Sequence, residues 1–243
     1  MRKKLLAGVV MGVLALGMVQ VASADLVNGS FEEQAVEPGN YELFLDASQT
    51  YTGGSRVIPG WLTTASDHKI EVWSNGFTYG APGDLVAYDG TQFAELNANE
   101  VSTLYQDITG IANGSVVGYQ FAHRGHWGTD EMLFAITDLG ADGTLGGTGI
   151  NADNILFSNS YVDGNDKWGF YQGSGITATG NTLRFSYISG PVAGGDPTSG
   201  NFLDSAAFGV GVGVVPEPST YALLCLSLGV VGYARRKMKS NES

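Results

Sequence analysis

From about residue 69 to residue 212, apolar positions come in short runs. Several alternate with polar positions, and clusters of Gly, Asn or Asp separate one run from the next. Val, Ile, Phe, Tyr, Thr and Trp dominate the runs at 69–73, 92–96, 103–108, 115–122, 132–138, 154–157, 168–173, 182–189 and 206–212. Period-two alternation in β-favouring residues predicts strands. In the run Leu183-Arg184-Phe185-Ser186-Tyr187-Ile188 it puts Leu183, Phe185 and Tyr187 on one face. No segment of this region carries a convincing helical period. Asp89-Gly90, Asn113-Gly114, Asp142-Gly143 and Asp163-Gly164 are turn dipeptides, and most of the 36 glycines fall among these runs. Many short strands with frequent turns predict an all-β domain, a β-sandwich or jelly roll. Residues 190–200 read as a flexible loop, and no internal repeat is visible.

The two ends follow a different pattern. Arg2-Lys3-Lys4 precedes an apolar stretch at 5–19, and Ala22-Ser23-Ala24 supplies small residues for cleavage, with Asp25 as the first mature residue. This predicts a secretory signal peptide over 1–24, cut between Ala24 and Asp25. At the other end, Pro216-Glu217-Pro218 is followed by sixteen uncharged residues at 219–234 and then by Arg235-Arg236-Lys237-Met238-Lys239. The prolines hold the preceding chain extended, so a helix starts only after them. Sixteen helical residues span roughly 24 Å, slightly less than a ~30 Å hydrocarbon core. The basic cluster belongs on the cytoplasmic side. A retained C-terminal anchor and a sorting tail that is later removed are both compatible with this pattern.

The Pro-Glu-Pro motif, the hydrophobic stretch and the Arg-Arg-Lys stop together resemble the PEP-CTERM sorting signal of Gram-negative bacteria. The resemblance implies handling by an exosortase, cleavage near Pro216–Pro218, and a cell that makes exopolysaccharide. It implies a sorting signal over 215–239 (motif 216–218, hydrophobic helix 219–234, basic stop 235–239) and a short tail at 240–243, which leaves 25–214 for the expected β-sandwich domain. It also implies export across the inner membrane, association with the membrane through the C-terminal helix, and delivery to the cell surface or extracellular matrix.

Removing both ends changes the charge balance. Residues 25–215 hold five basic and 22 acidic side chains, a net charge of −17 against −12 for the whole chain. Such a surface argues against nucleic-acid binding and permits cation binding. The single cysteine, Cys225, lies in the hydrophobic tail. The domain therefore has no disulfide and must be held by its core, with a metal as a further means.

A second resemblance covers most of the remaining chain. Leu26-Val-Asn-Gly-Ser-Phe-Glu32, Ile58-Pro-Gly-Trp61, Ile70-Glu-Val-Trp73, Asp89-Gly-Thr-Gln-Phe-Ala-Glu-Leu-Asn97, Leu104-Tyr-Gln-Asp-Ile108 and Gly200-Asn-Phe-Leu-Asp204 occur in this order. They resemble carbohydrate-binding-module-like domains with a galactose-binding-like jelly roll, including the secreted DUF642 family. That family's usual cysteines are missing here. The resemblance implies that 26–32 is an opening strand and that Glu32 and Asp204 hold a structural calcium. Carboxylates and carbonyls from the two chain ends would suit that ion. Without calcium, the two residues read as edge or capping residues. Asp138, Asp142, Asn151 and Asp153 form a second acidic segment that reads as glycine-rich turns.

Aromatic rings offer flat apolar faces to sugars. The candidates are Trp61, Trp73, Trp127 and Trp168 with Tyr79, Tyr88, Tyr105 and Tyr171. Trp61 and Trp73 are expected in the core, and Trp127 at the surface. Trp127 lies in His123-Arg-Gly-His-Trp-Gly-Thr-Asp130, which concentrates Arg124, His126, Trp127 and Asp130 as ligand-binding candidates. The same segment can instead be a loop held by an Arg124–Asp130 ion pair over a satisfied His123. No Gly-x-Ser-x-Gly, His-Glu-x-x-His or catalytic cysteine is present. The expectation is a non-catalytic exported protein that binds exopolysaccharide or another surface glycan. A calcium-dependent structural matrix protein and a glycan-active enzyme are the alternatives.

Overall fold

A computed structural model describes residues 26–50, 56–77, 85–140 and 154–210. The signal peptide, Tyr79, the acidic segment 142–153 and the tail with Pro216, Glu217, Pro218, Arg235 and Arg236 lie outside the described residues.

Among the described residues the chain forms β1 (Tyr41–Leu45), β2 (Leu62–Thr63), β3 (Lys69–Ser74), β4 (Gln92–Glu95), β5 (Thr103–Thr109), β6 (Val116–Arg124), β7 (Asp130–Asp138), β8 (Ile155–Asp163), β9 (Gly169–Thr177), β10 (Thr182–Ser189) and β11 (Phe202–Val210). A single 3-10 turn at Ala193–Gly195 is the one helical element described. The strand ladders are antiparallel. They build a six-stranded sheet in the order β1-β3-β4-β11-β6-β9 and a five-stranded sheet in the order β2-β5-β10-β7-β8. The expected all-β sandwich is the fold that forms.

Period-two alternation sends one set of side chains from each sheet into the interior. Ile70, Val72, Ala94, Phe121 and Leu203 of the larger sheet meet Leu104, Phe134, Ile136, Leu183, Phe185 and Tyr187 of the smaller. The shared face expected for Leu183, Phe185 and Tyr187 is the core face. Trp61 stacks on Phe31 with ring centroids 4.9 Å apart, and its indole N–H donates to the Asn28 carbonyl at 2.9 Å. Each such side chain contributes roughly 1.5–3 kcal/mol by burial.

Two expected features differ. Residues 26–32 form turns rather than an opening strand, because Asn28 and Phe31 take positive φ (52° and 59°) and Asn28 Oδ1 accepts the Glu33 amide. The segment still lies against β11, through Leu26 N–H to the Phe208 carbonyl and Ala206 N–H to the Gly29 carbonyl. β11 itself begins at Phe202 and not at 206. Its register with β6 shifts between Asp204 and Ala207, where Ser205 adopts φ 49°.

The outward face of the six-stranded sheet is also covered. The cross-strand pair Trp73 and Phe93 joins Phe202 and Leu85 in a second apolar cluster, flanked by Phe77, Ala87 and Trp168. A cleft opens beside this cluster, sharing Trp73 and Phe77 with it.

Candidate functional site

A cavity of about 620 Å³ lies on that outward face. Its floor comes from adjacent strands. β3 supplies Glu71 and Trp73, and β4 supplies Glu95. Tyr41 and Leu43 of the edge strand β1 form one side, and Tyr41 packs on Phe77 at 5.0 Å. His126 and Trp127 enter from the β6–β7 connection. Asn99 follows β4, and Asp196, Thr198 and Ser199 come from the β10–β11 connection. Tyr41 and Trp127 are 49% and 45% exposed, so two broad rings stand open at a cleft whose floor is buried.

The floor is polar. Glu71 and Glu95 are cross-strand partners, 9% and 2% exposed. Glu95 Oε1 accepts the Gly200 amide at 2.7 Å and lies 2.9 Å from His126 Nδ1. Glu71 Oε1 accepts the Trp73 indole N–H at 2.6 Å. Loss of hydration, reinforced by the Glu95 charge, pushes the Glu71 carboxyl up to about 8. Burial also raises Glu95, opposed by its bonds to His126 and Gly200. The His126 ring stacks on Trp127 at 5.0 Å and 19°, and meets Trp73 edge-on at 5.0 Å.

The four ligand candidates separate into two pairs. His126 and Trp127 line the cleft. Asp130 is buried behind it as an anchor. Its carboxylate accepts the amides of His126 (2.8 Å), Ala193 (2.6 Å) and Asn201 (3.2 Å), tying the β6–β7 connection to both ends of the β10–β11 connection. Arg124 is buried too, and its Nε and Nη2 donate to the Asn165 carbonyl. The Arg124–Asp130 ion pair is therefore replaced by main-chain partners. His123 is satisfied beneath the loop, 2.7 Å from Asp163 Oδ2 on one side and 2.7 Å from Asn201 Oδ1 on the other. Gly125 is required here, because a Cβ would stand 2.1 Å from the Gly128 carbonyl oxygen.

Trp73 is nearly buried as expected, yet its edge helps to form the cleft floor. Tyr105 lies beneath the Arg184 guanidinium at 4.0 Å, and Tyr171 donates to Asp163. Tyr88 and Phe170 form a second exposed platform, stacked at 5.3 Å and 5° beside Trp168.

Glu32 and Asp204 meet at one turn. Glu32 accepts the amides of Thr91 and Gln92, each at 2.7 Å, and the Thr91 hydroxyl at 2.9 Å. Asp204 accepts the amides of Tyr88 (2.7 Å), Asp89 (2.9 Å) and Ser205 (2.5 Å). A calcium site needs oxygens converging on the ion, whereas these carboxylates face N–H and O–H donors. In this arrangement the pair holds the 88–92 turn. Among the described residues no three His, Cys, Asp or Glu side chains converge as a metal site.

Comparison with known proteins gives the address of the chain. Residues 214–239 match the PEP-CTERM protein-sorting motif. The chain carries a PEP-CTERM sorting signal. That signal implies exosortase-sorted export. Among the described residues no helix is long and apolar enough to cross a membrane. No curated protein matches the chain. Solved structures similar to it include the CBM22-1 xylan-binding domain of Paenibacillus barcinonensis Xyn10C, at 16% identity over 74% of this chain and 99% of that one, with TM-score 0.41. TmCBM61 in complex with β-1,4-galactotriose is 12% identical over 62% and 88%, with TM-score 0.39. The Stig cyclase Fisc from Fischerella sp. TAU is 12% identical over 77% and 98%, with TM-score 0.48.

Proposed function

We propose that this exported protein is a non-catalytic surface or matrix component that binds the exopolysaccharide of the producing cell in the cleft between Tyr41 and Trp127. The observation that carries the reading is the placement of two half-exposed aromatic rings over a buried polar floor. The C–H faces of a pyranose stack on such rings, and its hydroxyls need fixed acceptors and donors. Asn99, Thr198 and Ser199 at the rim and the carboxyls of the floor supply them. The rigid sheet below fixes these groups in advance, which limits the ordering cost of binding.

Under this reading the sorting tail delivers the domain and the exosortase processes it near Pro216–Pro218, with the hydrophobic segment holding the chain in the membrane until then. The test is titration of the exported protein with polysaccharide from the producing strain. Saturable binding that falls in Trp127→Ala is expected. Equal binding by the wild type and Trp127→Ala would remove the cleft from the reading.

A further inference from the structure

The floor of the cleft favours one chemical class of glycan. Three lining side chains are acidic (Glu71, Glu95 and Asp196), and among the described residues no lysine or arginine lines the cavity. The imidazole of His126 is already engaged by Glu95. Lys69 shares a face of β3 with Glu71 but lies outside the lining. The two buried carboxyls are unequal. Glu95 has two partners, whereas Glu71 accepts one bond, through Oε1. Among the described residues Glu71 Oε2 takes no protein donor, and it is not one of the buried polar atoms left without a partner, so it stays open to solvent at the cavity wall.

Resting on the carbohydrate reading above, we infer that the cleft selects sugars bearing a free amine, and that Glu71 receives the ammonium group while the adjoining ring stacks on Trp127 or Tyr41. An ammonium replaces water as the donor to Oε2 and takes the place of the proton that Glu71 otherwise holds against the Glu95 charge. A uronate or sulfate would bring like charge into a desolvated acidic floor. A neutral sugar offers no cation and leaves that proton in place.

The inference carries a proton balance. Glu71 holds a proton at neutral pH because burial and Glu95 raise it. Docking of R–NH3+ leaves the carboxylate paired with the ammonium and releases that proton to the buffer. Glu95 on β4, His126 in the β6–β7 connection and Asp196 in the β10–β11 connection are the other titratable groups of the cavity.

The experiment is calorimetric titration of the exported protein with a glucosamine tetramer, the N-acetylated tetramer and a tetragalacturonate. Each is run in two buffers of different ionisation enthalpy and in high salt, where attraction to the general negative surface is screened. The amine oligomer is expected to bind at least about tenfold tighter than the acetylated one and to release a proton, with the uronate weakest. Glu71→Gln is expected to lose both the preference for the amine oligomer over the acetylated one and the proton release. Equal affinities for amine and acetylated oligomers in the wild type, without buffer dependence, would overturn the inference while leaving carbohydrate binding intact. Binding of trilysine as tight as that of the amine oligomer would overturn the assignment to a sugar. Failure of all three oligomers to bind a protein that binds the producing strain's polysaccharide would overturn the inference alone, and failure of that polysaccharide as well would overturn the carbohydrate reading.

Discussion

Glu71 and Glu95 face each other across the β3–β4 ladder, two acidic side chains in direct register and nearly withdrawn from water. Like charges directly opposite each other in a sheet destabilise it, and burial adds to the cost. Binding a proton relieves it. Glu71 is held up to about 8, and Asp204, desolvated at its own site, up to about 7.

This reverses the usual pH dependence of stability. Both folded-state values lie above those of an unfolded carboxyl, so between about pH 4.5 and 8 the folded chain holds protons that the unfolded chain has lost. Stability then falls as pH rises, by up to ~1.4 kcal/mol for each pKa unit that the shift retains. Thermal unfolding is expected at a higher temperature at pH 5 than at pH 8, and Glu71→Gln should flatten the slope. A melting temperature that rises from pH 5 to 8 would contradict the protonated pair.

Asp130 offers a separate test of the frame behind the cleft. Its carboxylate accepts three amides from two connections, β6–β7 and β10–β11. Asp130→Ala leaves those donors without a partner and is expected to cost about 2–4 kcal/mol in chemical denaturation. Glycan affinity should fall as well, because the His126–Trp127 segment loses its anchor. A variant as stable as the wild type would show that this network does not hold the loops.

The turn at 88–92 supports a prediction about metal. Glu32 and Asp204 are occupied by hydrogen-bond donors, so adding chelator should leave the melting temperature unchanged. A rise of several degrees with millimolar calcium would mean that the ion displaces those bonds and would restore the expected structural calcium.

The strands were legible in the sequence wherever alternation was strong. β10 shows its core face in Leu183, Phe185 and Tyr187, and Trp127 stood out as a large ring in a polar, turn-rich segment. The cleft was harder to read. Glu71 in Ile70-Glu71-Val72-Trp73 looks like the solvent-facing residue of an alternating strand. Nothing local shows that the outward face of its sheet is itself covered. Glu95 meets the Gly200 amide across 105 positions, and no motif encodes that approach. β1 follows Pro38-Gly39-Asn40 and is only five residues long, too short for its pattern to mark Tyr41. The Arg124–Asp130 pair failed for the same reason, since both side chains satisfy main-chain groups brought from distant segments.

The sorting signal makes its own prediction. Intact-mass analysis of the protein recovered outside the cell is expected to show a C-terminus near Pro216–Pro218, with 219–243 removed. Full-length protein in that fraction would contradict exosortase processing.

Titration of the exported protein and of Trp127→Ala with the producing strain's polysaccharide bears on the cleft more than any other experiment. Trp127 is 45% exposed, so its removal should change stability little. The loss of a stacking ring is expected to weaken binding about tenfold or more, on the order of 1–2 kcal/mol. Unchanged affinity in a folded Trp127→Ala variant, or no saturable binding by the wild type, would contradict the assignment of the cleft as a glycan site.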